Sequence, residues 1–212
     1  MSNIETSTPE VTNNEKSSLS VINPEGSNSI SNKVILIGDT SVGKTSIVVQ
    51  IHKGIFDPNV EPTVGAGYVT VPIETNNGKK VDLNIWDTAG QEKFRAIVPS
   101  YIRDTTSAII VCSTDSKESC VHLSTWYDLL RDNSEITPQI YIVLNKIDLE
   151  EKYDTQECEN FANKCNCPFF KVSATNRSFL LPLFQRIAND VLENNLISSQ
   201  AQVTPKQSSG CC

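Results

Sequence analysis

Apolar residues fall along this chain in two rhythms. Residues 34–37 read as a short apolar strand ending at Gly38, and continuous runs at 108–112 and 140–144 have the two-sided apolarity of strands covered on both faces. At Val81, Leu83 and Ile85 the apolar positions alternate with Asp82 and Asn84, which predicts a strand with one more polar face. Segments 68–75 and 80–86 flank Asn76-Asn77-Gly78, a hairpin turn signal. Segment 169–172 reads as a last short strand. Helical spacing marks 44 to about 51 and the trio Leu123, Tyr127, Leu130. It also marks a final amphipathic helix through Leu183/Phe184, Ile187/Ala188 and Val191/Leu192, with Pro182 near its first turn. The order predicts an α/β fold, a mostly parallel six-stranded sheet with one antiparallel hairpin strand and about five helices over both faces.

The two ends follow neither rhythm. Residues 1–31 are rich in Ser, Asn, Thr and Glu, too poor in large apolar groups to offset their ordering entropy, and read as a disordered arm. Residues 196–212 read as a flexible tail, which leaves one domain at 32–195. A formal net charge of −7 without any run of Lys and Arg argues against a nucleic-acid partner. No stretch of about 18 uncharged apolar residues predicts a membrane-spanning helix. The start lacks the basic-then-apolar pattern of a secretory signal, and Ser2 stands where myristoylation needs Gly. The seven cysteines form no disulfide framework, and Cys165-Asn166-Cys167 has no second ligand pair to make a metal site.

Three motifs carry chemistry. Gly38-Asp39-Thr40-Ser41-Val42-Gly43-Lys44-Thr45 follows an apolar strand and opens a helix, the setting of a phosphate loop. Its glycines let backbone N–H groups turn toward phosphates, and the helix start adds partial positive charge. Lys44 would sit near the β- and γ-phosphates, and the Thr45 hydroxyl could bind Mg²⁺. Asn145-Lys146-Ile147-Asp148 sits at the end of the 140–144 strand, where open α/β sheets bind ligands. The Asp148 carboxylate can accept both N1–H and the exocyclic amine of guanine; adenine lacks that donor pair and would leave it unsatisfied, at roughly 1–3 kcal/mol. In Asp87-Thr88-Ala89-Gly90-Gln91, the carboxylate could hold Mg²⁺ through water, Gly90 admits a close N–H to the γ-phosphate, and Gln91 could orient the attacking water.

From about residue 33 to 194 these motifs, in this order and spacing, resemble those of Ras-superfamily small GTPases, and Trp86-Asp87-Thr88-Ala89-Gly90-Gln91-Glu92-Lys93-Phe94 is most similar to the Rab branch. The resemblance implies a phosphate-loop GTPase fold that binds GTP and GDP with Mg²⁺ and hydrolyses GTP. It also implies that Thr63 binds Mg²⁺ and senses the γ-phosphate, that Phe56 packs on the guanine, and that Ser173-Ala174-Thr175 is the last base-contacting loop. Catalysis falls to Gln91, Lys44 and Thr63. Departures from the Rab pattern lie at Val64-Gly65-Ala66-Gly67-Tyr68, at Tyr101-Ile102-Arg103-Asp104-Thr105, and at Thr175, where the family usually carries Lys. They bear on which effector the chain takes rather than on nucleotide.

The terminal Cys211-Cys212 resembles the doubly geranylgeranylated ends of Rab proteins, and Ser209 excludes a single-cysteine prenylation box. The resemblance implies a monomer, lipid-anchored on the cytoplasmic face of a cellular membrane, with a soluble cytosolic pool. Its partners would be an exchange factor, an activating protein, an escort that shields the lipid, and effectors in vesicle trafficking. Arg95 and Arg103 lie near the second switch, yet no arginine is an obvious finger supplied in cis, so unassisted turnover should be on the order of 10⁻³ s⁻¹ or below. Two other readings are a GTP-bound tethered module with little hydrolysis, against which Gln91 speaks, and a phosphate-loop ATPase or kinase, against which 145–148 speaks.

Overall fold

The computed structural model describes residues 32–90 and 97–201. The expectations for the arm at 1–31, for Gln91 and Arg95, and for Cys211 and Cys212 lie outside the described residues. Strand β1 (Lys33–Gly38) is the axis of the sheet. Successive side chains of a strand point to opposite faces, so Val34 and Leu36 enter one core layer while Ile35 and Ile37 enter the other. Parallel neighbours flank β1, with β3 (Lys80–Thr88) on one side and β4 (Ser107–Ser113) on the other. Beyond β4, β5 (Gln139–Asn145) and β6 (Phe169–Lys171) continue in parallel. Beyond β3, β2 (Ala66–Glu74) pairs antiparallel, giving a six-stranded sheet in the order β2-β3-β1-β4-β5-β6.

Parallel strands need crossovers, and α1 (Lys44–Lys53), α4 (Leu123–Asn133) and α5 (Gln156–Lys164) lie in three of them, while α6 (Arg177–Ala201) follows the last strand. Two five-residue helices, α2 (Val98–Ile102) and α3 (Lys117–Val121), complete the described set. Ile47 and Ile51 of α1 pack with Leu183, Phe184 and Ile187 of α6 over one sheet face. Leu123, Trp126 and Leu130 of α4 cover the other face, joined by Cys158 and Ala162 of α5. Both faces are therefore sealed, and ligands can reach the sheet only at its ends.

The structure adds to the sequence reading at several places. Helix α5, not singled out from the sequence, turns Cys158, Phe161 and Ala162 toward the core at helical spacing, and its two fully buried members are small. Helix α6 starts at Arg177, which moves Pro182 from the first turn to the second. Its missing N–H leaves the Ser178 carbonyl without a helical partner, but both residues are exposed and water can serve that oxygen. The same helix runs to Ala201, past residue 195 where the sequence pattern set the end of the domain.

Main-chain hydrogen bonds fix the register at the sheet's edge. Asn32 Nδ2 donates to the Asp82 carbonyl (3.1 Å), and Asn84 N–H donates to the Asn32 carbonyl (3.0 Å), so both β3 residues turn their main-chain groups toward β1. Their β2 partners, Pro72 and Thr70, therefore turn theirs outward, away from the ladder. Pro72 thus sits where its lack of an N–H costs the sheet nothing.

Candidate functional site

The carboxyl ends of β1, β3, β5 and β6 open onto one cavity of about 540 Å³. Each strand hands over directly to a candidate segment: 38–45 after β1, 87–90 at the end of β3, 145–148 at the end of β5, and 173–175 just past β6. Phe56 and Thr63, from the connection between α1 and β2, close the outer side. The phosphate loop reaches the first turn of α1 through Gly43 (φ 93°), and a Cβ there would overlap the Asn145 amide. Only glycine satisfies both conditions. Ser41 (φ 60°) and Lys146 (φ 65°) also hold left-handed backbone beside the cavity, strain of a kind that gathers at binding sites.

At the phosphate end, the Lys44 ammonium donates to the Gly38 carbonyl (2.8 Å) and the Asp39 carbonyl (2.6 Å). Burial lowers the Lys44 pKa to about 8, against the raising influence of Asp87 and Asp39. A Cβ on Gly90 would collide with Lys44 Nζ and the Asp39 carbonyl, so only glycine lets the end of β3 lie directly against the phosphate loop here. Thr45 Oγ1 donates to Asp87 Oδ2 (2.7 Å) and lies 2.7 Å from Thr63 Oγ1, which stands 3.3 Å from the same carboxylate oxygen. Burial pushes the Asp87 carboxyl above its ordinary value, against the Thr45 hydroxyl, the Lys44 charge and the Thr63 hydroxyl. Its Oδ1 is buried without a hydrogen-bond partner.

Two hydroxyls and a carboxylate, one oxygen of which is buried and unsatisfied, form an all-oxygen donor set, which fits a hard divalent cation such as Mg²⁺. The remaining positions of such an ion would fall to phosphate and water.

At the base end, Asp148 Oδ1 accepts a short hydrogen bond from Ser173 Oγ, which fixes the carboxylate at the rim. Phe56 is 41 % exposed, an open ring face on the cavity wall. Asn145 is almost fully buried and spends its amide internally: Nδ2 donates to the Val42 carbonyl (2.9 Å) and Oδ1 accepts from Ala174 N–H (3.2 Å). It ties the phosphate loop to the last base-end loop rather than facing the cavity alone. Lys146 pairs with Asp115 (2.9 Å), and Thr175 Oγ1 lies 2.7 Å from Ser173 Oγ.

Most of the sequence-derived residues line the cavity. Gly38, Asp39, Val42, Asp87 and Ser173 stand just behind it, each holding a residue that does. Four supports escaped the sequence reading. Gln50, buried on α1, donates to the Thr175 carbonyl (3.1 Å). Asp115 anchors Lys146, while His122 and Trp126 both bond Asp39. A polar Gln on the buried face of α1 was the one legible signal among them. Arg103 is turned to solvent beside Asp104, and among the described residues no arginine lines the cavity.

A mostly parallel sheet sealed on both faces, with a glycine-rich loop, a rim carboxylate and a hydroxyl–carboxylate cluster at its carboxyl end, has the architecture of a phosphate-loop GTPase fold. The Ras family model matches residues 33–193, and the chain belongs to that family. It is Rab-like: it is 37% identical to mouse Ras-related protein Rab-22A over 161 residues, covering 75% of this chain and 82% of the relative. It is 34% identical to Ras-related protein Rab-5B of Plasmodium falciparum (isolate 3D7) over 159 residues, covering 75% and 77%. Ras-related protein Rab-11C of Dictyostelium discoideum is 34% identical over 170 residues, covering 79% and 75%. The chain is thus a small GTPase, of a family that binds GTP and GDP and hydrolyses GTP.

Proposed function

We propose that this chain is a membrane-tethered switch: it cycles between GTP- and GDP-bound states, hydrolyses GTP, and recruits effectors in vesicle trafficking while GTP is bound. The observation that carries this reading is the convergence of Thr63 and Gly90, from two separate segments, on the Lys44–Thr45 end of one cavity. A γ-phosphate there would hold both segments, and its loss would free them.

In this mechanism the phosphate-loop N–H groups and the Lys44 ammonium bind the β- and γ-phosphates and offset charge that builds up during transfer. Bound Mg²⁺, held by Thr45, Thr63 and Asp87, would supply further neutralisation of phosphate charge. Gln91 orients a water for in-line attack on the γ-phosphorus, and the bond to the GDP oxygen breaks. With no arginine among the described residues of the cavity wall, turnover waits on an activating protein that brings a cation in trans. Gln91→Leu should keep GTP binding and lose most of the stimulated phosphate release, since an apolar side chain cannot orient water. Single-turnover release with and without an activating protein measures this. Wild-type protein that releases no phosphate under either condition would leave a binding module.

Beside the Thr63 segment, Val64 is 80 % exposed and Tyr68 54 % exposed. Tyr68, Trp86 and Tyr101 form a row of ring contacts with centroids 5.4 and 5.8 Å apart. This aromatic face adjoins the nucleotide-sensing segments and suits effectors that read the bound state. Exchange factor and lipid-shielding escort complete the cycle. Attachment would come from geranylgeranyl groups on Cys211 and Cys212; among the described residues no helix is long and apolar enough to cross a membrane. One lipid chain gives only marginal binding, so both cysteines matter. Replacing one with Ser should leave exchangeable membrane association and replacing both should abolish it. Fractionation of the three forms, with mass spectrometry of the C-terminal peptide, is the readout; a double variant that still pellets with membranes counts against the anchor.

A further inference from the structure

Asp39 is the one residue of the phosphate loop that is held from outside the loop by its side chain at both carboxylate oxygens. Oδ1 accepts from Trp126 Nε1 (2.8 Å) and Oδ2 lies 2.6 Å from His122 Nδ1. An ionised carboxylate only accepts, so the imidazole nitrogen facing it is the donor. The Asp39 main chain points the other way. Its carbonyl accepts from Lys44 Nζ and lies against Gly90. One residue therefore joins the α3–α4 junction to the two groups that meet the phosphates.

We infer that His122 and Trp126 are positioning residues for nucleotide retention: by caging the Asp39 carboxylate they fix the Asp39 carbonyl and Lys44, so the rate of nucleotide release is set from the α3–α4 junction. The inference rests on the guanine-nucleotide reading of the cavity. A carboxylate beside bound phosphates repels them unless its charge is engaged elsewhere. Here both oxygens are engaged, and the Asp39 side chain is only 17 % exposed, which weakens solvent screening of the pair. If either donor is lost, the carboxylate is freed toward the phosphates and its carbonyl loses a fixed direction.

The geometry of the junction supports a control point and not only a packing contact. His122 closes α3 through its N–H to the Glu118 carbonyl (2.9 Å) and accepts the Trp126 N–H at the start of α4 (3.1 Å). The Trp126 ring is buried in the core layer, so its nitrogen is aimed by packing. The His122 side chain, in contrast, is 45 % exposed, next to Val121 at 60 %. A protein docking there would reach the phosphate loop through His122 without touching nucleotide.

The test is the release rate of a fluorescent GDP analogue from full-length protein, chased with excess GDP in Mg²⁺. Trp126→Phe keeps the ring and removes the N–H, and His122→Ala removes the other donor. Each should speed release by about three- to tenfold, the worth of one hydrogen bond. His122→Gln, which restores an N–H donor, should recover part of the retention. In an Asp39→Ala chain, Trp126→Phe should add no further change, an outcome that a packing role alone would not give. Release rates equal to wild type in Trp126→Phe and His122→Ala, or full additivity with Asp39→Ala, would overturn the inference. Wild-type protein that retains no GDP, with Asp148→Ala indistinguishable from it, would instead remove the nucleotide reading and this inference with it.

Discussion

Lys44→Ala is expected to weaken GTP by roughly 10- to 100-fold, because a charged donor to the phosphates disappears from a buried site. Lys44 also makes binding sensitive to pH. Burial holds its pKa at about 8, while phosphates would favour the protonated form and raise it. Binding then takes up a proton above pH 8. Affinity should be flat below that value and fall by about tenfold for each unit above it. The guanine N1 also loses a proton in alkaline solution, but Lys44→Ala retains only that contribution, so the difference in slope between the two proteins isolates the lysine. Titrations of fluorescent GTP from pH 7 to 9 give both results. Parallel slopes would show that Lys44 is charged in the free protein throughout.

Asp148→Ala should cost more than about tenfold in GTP affinity, since the carboxylate offers a charge-assisted pair of acceptors to guanine. Ser173 holds that carboxylate from behind and leaves it at the cavity rim. Guanine selectivity should fall in step, because without the carboxylate adenine leaves no acceptor unsatisfied. Competition of GTP and ATP against the same fluorescent probe reads the change. Equal affinities in wild type and variant would take Asp148 out of the site.

The parts of this fold that the sequence disclosed are those whose cause is local. A strand buried on both faces must be apolar along its length, as 34–37, 108–112 and 140–144 are, and all three lie in the sheet's centre. The phosphate loop and the 145–148 segment were legible because their chemistry requires particular residues at fixed spacing. The supports were hidden because their cause is distant. Asn145 reads as a base contact from sequence, yet its partners Val42 and Ala174 lie 103 and 29 residues away. Asp39 meets His122 and Trp126 across separations of 83 and 87. A histidine and a tryptophan on an amphipathic helix give no sign of such a partner. Helix α5 was missed for another reason: its stripe of Cys158, Phe161 and Ala162 is short, and cysteine and alanine stand out little as core residues among polar and charged neighbours.

The outward turn of Pro72 bears on what happens when many copies are crowded together. The free edge of β2 offers its main-chain groups at alternate residues, and a second sheet could zip onto that row to build a growing ribbon. Pro72 removes a donor near the middle of the row, with Thr70 on one side and Glu74 on the other. At the opposite edge, β6 has only three residues, too short a template for sustained pairing. Neither border offers a long uninterrupted row, which works against edge-to-edge fibres at high local density. A partner that extends the sheet is restricted to the short segment between Ala66 and Thr70.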